Sequence, residues 1–116
     1  MSEKTKYFGS VIIPLYNEEE SLPELYRQLG SVMERSFAGH ELIFVDDGST
    51  DGSVEALREL RGRDRRVKIL SFRRNYGKSA ALAEGFKAAR GDIVITIDAD
   101  LQDNPEEIPG LVAKLD

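Results

Sequence analysis

The chain has 116 residues, near the usual size of one domain, and 41% hydrophobic with 32% charged residues is ordinary for a globular protein. A formal net charge of −5 argues against nucleic acid or an anionic membrane as a general partner, and the absence of cysteine excludes disulfides and thiolate chemistry. The polar start Met1–Lys6 lacks the apolar segment of a signal peptide, and no apolar run reaches the roughly 18 residues of a membrane span, so a cytoplasmic location is expected. Val11-Ile12-Ile13 predicts a short buried strand stopped by Pro14. Ser21-Leu22-Pro23-Glu24 has the form of a capping box, and Leu22, Leu25, Tyr26, Leu29, Val32 and Met33 then recur at helical spacing. Leu42–Val45 is the second strand, followed by a helix through Val54, Leu57 and Leu60 that Gly62 helps to end. Val67–Leu70 alternates as an edge strand does. An Ala-rich helix from about Ser79 to Arg90 ends at Gly91. The continuous apolar run Ile93–Ile97 reads as a strand buried on both faces. Asn104-Pro105-Glu106-Glu107 starts a last helix, with Ile108, Leu111, Val112 and Leu115 on its buried face.

Strand and helix thus alternate four times, which predicts an α/β fold: a Rossmann-like parallel sheet with helices on both faces. Strand order 3-2-1-4 puts the reversal of winding between strands one and four, and a ligand crevice at their carboxyl ends. The segments that follow those strands are Pro14-Leu15-Tyr16-Asn17-Glu18 and Asp98-Ala99-Asp100. Two carboxylates one residue apart repel each other unless something positive sits between them, and Mg²⁺ carrying a phosphate fits that position. Tyr16 can lie against a nucleobase and Glu18 can accept hydrogen bonds from base or ribose. The alternative is a solvated loop whose glutamates complement a helix dipole. In Val45-Asp46-Asp47-Gly48, Asp46 is expected to be structural and Asp47 to read a base edge, while Ser49, Thr50 and Asp51 are expected as turn and N-cap residues. Arg73, Arg74 and Lys78 gather in one loop before a helix, a setting suited to a diphosphate. Gly-x-Gly-x-x-Gly is absent after the first strand, and Phe72 stands where a P-loop needs its first glycine, so neither of those phosphate motifs is present.

Val11–Glu18, Val45–Asp51 and Asp98–Asp103, taken together, resemble the family 2 glycosyltransferases of GT-A fold. Arg74-Asn75-x-Gly77-Lys78 and the Leu101-Gln102-Asp103 extension are most similar to the branch that makes polyprenyl- and dolichol-phosphate sugars. The resemblance implies that Pro14, Tyr16 and Glu18 line the nucleoside pocket, that Asp47 contacts the base, and that Arg74 and Lys78 lie near the nucleotide. It implies Asp98, Asp100 and Gln102 around Mg²⁺ or Mn²⁺, a GDP- or UDP-linked sugar donor, inverting transfer, and a lipid-phosphate acceptor. Residues 1–8 are then a flexible N-terminus and 9–116 the donor-binding half of the domain, with the parent protein at the cytoplasmic face of a membrane and the fourth strand's free edge open to homo-oligomer formation. Two other readings are a stand-alone nucleotide-binding module without turnover and a phosphoryl-acceptor domain using Asp46, Asp47 and Lys78.

Overall fold

In the computed structural model, residues 4–100 and 103–114 are described. Chain order is β1 (Thr5–Leu15), α1 (Leu22–Ser36), β2 (Phe37–Asp46), α2 (Ser53–Arg63), β3 (Val67–Ser71), α3 (Lys78–Ala88) and β4 (Ile93–Thr96), then a 3₁₀ turn (Pro105–Glu107) leading into α4 (Ile108–Val112). The sheet is parallel throughout, in the order β3-β2-β1-β4 expected from the sequence. Alternation of side chains along the strands splits the core in two. On one face Val11, Ile13, Leu42 and Phe44 meet Leu22, Leu25, Leu29, Val32 and Met33 of α1, Leu57 and Leu60 of α2, and Ile108 of α4. On the other, Ile12, Ile43 and Val45 meet Ala81 of α3. Burying each large apolar side chain contributes about 1.5–3 kcal/mol before entropy, so α1, with five of them fully buried, is the helix held hardest by packing. Among the described residues no helix is long and apolar enough to cross a membrane.

Several elements depart from the sequence expectation. β1 begins at Thr5, ahead of the boundary placed after residue 8, because its first residues pair with Phe37 and Gly39 of a β2 that starts where α1 stops. Pro14 does not end β1 but lies within it, opposite Val45. Ile12 O accepts from Ile97 N–H on the β4 side, and Leu15 O accepts from Asp47 N–H on the β2 side. Pro14 therefore faces the β4 side, past the last β1–β4 pair at Ile12 and Thr96, where its missing N–H breaks no ladder.

The capping box does not form either. Ser21 already has helical backbone angles, its hydroxyl donates to Glu18, and Glu24 accepts from Arg27 and Gln28 instead. Gly62 lies inside α2, which stops at Asp64. Gly91 is not a left-handed helix stop: a Cβ there would come 2.5 Å from Ser10 Oγ, so its role is close approach to β1. β4 is half-buried on one face and exposed on the other, since α3 packs over β1 and β2 and leaves Val94 38% exposed at the sheet edge. Asn104 caps the last helical segment as expected, its side chain accepting from Glu106 N–H, but Leu111 points outward and Leu115 lies outside the described residues.

Candidate functional site

A cleft of about 310 Å³ opens at the carboxyl ends of β1 and β4, where the winding reverses. Pro14, Tyr16 and Glu18 line it from β1 and the loop that follows, Asp47 from the end of β2, Lys78 from the start of α3, and Asp98 and Asp100 from the segment after β4. Arg74 is not among the lining residues; its guanidinium lies 5.0 Å over the ring of Tyr76, which also meets Phe72 edge-on. Gln102 lies outside the described residues.

The loops around the cleft are stitched to one another by side chains bonding to backbone. Asn17, in a left-handed conformation (φ 53°), accepts from Thr50 N–H at 2.8 Å and Asp51 N–H at 3.2 Å, while its own N–H donates to Ser49 Oγ at 2.8 Å. Glu18 N–H donates to Ser53 Oγ, and Glu19 Oε1 accepts from Gly52 N–H. Ser49 and Thr50, expected as turn and cap residues, thus face the β1 loop, whereas Asp51 does hold the start of α2 by accepting from Ser53 N–H. No periodicity marks such contacts; the only sequence sign was an asparagine, a residue tolerant of the left-handed region, directly after Tyr16.

The Asp46–Asp47 pair divides its tasks. Buried Asp46 accepts from Ser49 N–H and from the Ser71 hydroxyl, tying β2 to its own turn and to β3. Asp47 reaches the other way: Oδ1 accepts from Tyr76 N–H at 2.7 Å and Oδ2 from Gly77 N–H at 2.9 Å, which fixes the approach to α3. Gly48, at φ 79°, makes room for that approach, since a Cβ would stand 2.6 Å from Asn75 N. Following β2 and not β1, the pair does not have the placement of a phosphoryl acceptor.

Across the cleft mouth, Lys78 Nζ donates to Asp98 Oδ1 at 2.6 Å. This bond, then the charge of Asp98 and the weaker attraction of Asp103 and Asp100, holds the ammonium above the ordinary lysine range. Asp98 N–H in turn donates to Asp103 Oδ2 at 3.0 Å. Among the described residues no three His, Cys, Asp or Glu side chains form a ready metal cage. Two cleft carboxylates, one of them already bearing a cation, nevertheless suit a hard divalent ion that takes one or two protein oxygens and completes its shell with phosphate and water.

Residues 10–116 match the family model described as glycosyl transferase family 2. The chain is 47% identical over 108 residues to an undecaprenyl-phosphate 4-deoxy-4-formamido-L-arabinose transferase from Salmonella choleraesuis, covering 92% of this chain and 33% of that protein. It is 49% identical over 104 residues to the enzyme of the same name from Pseudomonas fluorescens, covering 89% and 30%. The chain therefore spans about a third of the length of these relatives. Among solved structures, the mannosyltransferase PcManGT from Pyrobaculum calidifontis, in complex with GDP-Man and Mn²⁺, superposes with a TM-score of 0.81 at 24% identity, over 99% of this chain and 35% of that one. S. aureus TarS 1–349 in complex with UDP gives 0.75 at 28%, over 94% and 31%.

Proposed function

The chain belongs to glycosyl transferase family 2, and from that premise we propose that it provides the donor-binding part of an enzyme moving a sugar from a nucleoside diphosphate to a polyprenyl phosphate. The observation that carries this reading is the convergence of Pro14, Tyr16, Glu18, Asp47, Lys78, Asp98 and Asp100 on one cleft at the switch point of the sheet. Relatives named as undecaprenyl-phosphate transferases support the acceptor class, and structural neighbours holding GDP-Man or UDP support the donor class.

In this reading the exposed ring of Tyr16 stacks on the base, and Glu18 accepts from base or ribose. Asp47 keeps lone pairs free beyond the two backbone N–H groups that it already accepts, and these contact the base edge. Asp98 and Asp100 hold Mg²⁺ or Mn²⁺, with Gln102 as a further ligand. When bound, the ion acts as a Lewis acid on the diphosphate leaving group. Lys78 and Arg74 bring positive charge to the same group, Arg74 by leaving the ring of Tyr76. The acceptor phosphate is anionic before it attacks, so the cleft needs no general base, and attack opposite the leaving diphosphate inverts the sugar carbon.

A thermal-shift panel of the chain with GDP, UDP and their sugar conjugates, each with Mn²⁺ or EDTA, tests the proposal. A ligand at 100 times its dissociation constant adds about 2.7 kcal/mol of stability, and the shift is expected with one base and only with Mn²⁺. No shift with either nucleotide would overturn the donor-site reading. That the chain spans a third of its relatives favours a second reading, a nucleotide-binding module without turnover; sugar transfer or donor hydrolysis by the 116-residue chain would exclude it.

A further inference from the structure

We propose that Lys78 is an exchangeable counter-cation: its ammonium neutralises Asp98 until a divalent ion arrives, and is then released to the diphosphate of the incoming ligand. The inference rests on the reading of Asp98 and Asp100 as the metal carboxylates. Four carboxylates line the cleft, from Glu18, Asp47, Asp98 and Asp100, against one ammonium from Lys78. That ammonium sits 2.6 Å from Asp98 Oδ1, on the same carboxylate that a metal would use. A divalent ion and a lysine ammonium on the same carboxylate repel each other, so metal binding at Asp98 weakens its hold on Lys78 and favours release of the ammonium.

Three features make the displacement easy. Both side chains of the pair are open to water, Lys78 at 61% and Asp98 at 44% exposure, so the bond is of the weak, screened kind. The lysine stem is flexible and its charge is a compact point, so the ammonium swings to a phosphate oxygen without any change of backbone. The backbone itself is fixed, because the Asp47 carboxylate holds the N–H groups of Tyr76 and Gly77 immediately before Lys78. Lys78 thereby serves one site in two states, first as a stand-in for the metal and afterwards as a ligand of the phosphate that the metal brings. A lysine that only decorated the surface, or only stiffened the loop, would leave metal affinity unchanged when removed.

The test is calorimetric titration of Mn²⁺ into the 116-residue chain and into its Lys78→Met, Lys78→Arg and Asp98→Asn variants, followed by titration of UDP, and of GDP in parallel, at saturating Mn²⁺. Lys78→Met is expected to bind Mn²⁺ alone about fivefold tighter, the reach of an exposed ion pair, and the preferred nucleotide about tenfold more weakly. Lys78→Arg, which keeps the charge, should stay within about twofold of the parent for Mn²⁺, and Asp98→Asn should lose Mn²⁺ binding. Unchanged or weakened Mn²⁺ binding in Lys78→Met, with normal binding by the parent, overturns the exchange while leaving the metal site intact. Mn²⁺ binding by neither parent nor variant, with or without nucleotide, overturns the metal-site reading and the exchange with it.

Discussion

Helix α3 is anchored at both ends by a lysine–carboxylate pair, and the two pairs differ in everything except distance. At its start Lys78 meets Asp98 at 2.6 Å across the open cleft. Beyond its end, the Arg90 N–H donates to Glu41, whose other oxygen accepts from Lys68 at 2.6 Å. Glu41 is completely buried in the sheet and also accepts from the Ser10 hydroxyl, which in turn takes the Gly91 N–H. Burial pushes the Glu41 carboxyl up, but the bonds from Lys68, Ser10 and the Arg90 N–H outweigh it and hold the group below its ordinary range. One geometry thus serves two purposes. A pair whose carboxylate is closed off from water, with both of its oxygens engaged, works as a structural rivet, and a pair with both partners open works as an exchangeable contact.

The largest expected effect tests that contrast directly. Lys68→Met leaves the buried Glu41 with only the Arg90 guanidinium, 3.8 Å away, as a cation and should cost about 2–3 kcal/mol, less than for a fully buried pair because Lys68 reaches water and Arg90 remains. Lys78→Met should leave the urea midpoint close to that of the parent, because both members of its pair are open to water. Urea unfolding of the two variants side by side measures both; equal losses would break the comparison. A middle-sized effect is expected at Asp47, which belongs to the open end yet is buried. Asp47→Ala removes the acceptor of two backbone N–H groups and should cost about 1–2 kcal/mol. It should also weaken nucleotide binding, through loosening of the 72–77 loop as well as through the base. Asp47→Asn, which keeps one acceptor oxygen, separates the two contributions: recovered stability without recovered base selectivity assigns the base contact to the carboxylate.

The closed end was much harder to read from sequence than the open one. Four strand–helix units, the order 3-2-1-4 and the crevice at the carboxyl ends follow from periodicity and the handedness of crossovers, and all three survive in the structure. Motif residues after β1, β2 and β4 reach the cleft because the end of a buried strand fixes where the next residue lies. Arg74 shows where this stops: three cations in one loop are equivalent in sequence, and only folding puts Lys78 at the cleft and Arg74 over Tyr76. Glu41 gave no signal at all. A glutamate at the head of Leu42-Ile43-Phe44-Val45 reads as a solvated strand start, and its partners stand 31, 27 and 49 residues away. The fully buried reading of Ile93–Ile97 failed because an apolar run records the sequence's potential for burial and not whether a helix is present to cover it.

Acid separates the two ends further, through His40, the only histidine of the chain, which neighbours Glu41 on β2 and points to the opposite face. His40 is buried, and its Nε2 has no hydrogen-bond partner among the described residues. Burial first, and then the positive charge of Arg66 with a smaller contribution from Lys4, lowers its pKa below the ordinary 6.5, against the opposing pull of Glu34 and Asp64. A depressed histidine favours the fold only while neutral. Above 6.5 neither the folded nor the unfolded chain carries the proton, and the contribution is fully present. Below it the unfolded chain takes up a proton that the folded chain refuses, so stability falls with pH until the folded value is reached. Glu41 adds a second loss further down: its folded pKa is depressed, so protonation of the unfolded chain near the ordinary 4.5 begins to favour unfolding. The urea midpoint should therefore drop between about pH 7.5 and 5.5 in the parent and stay level in His40→Leu, which removes both the titration and the unpartnered nitrogen. Lys78→Met should retain the parental drop, because the open pair carries no part of it. A parental midpoint that does not move over this range would mean that His40 is hydrated in the fold, and that the closed end is less closed than Glu41 makes it.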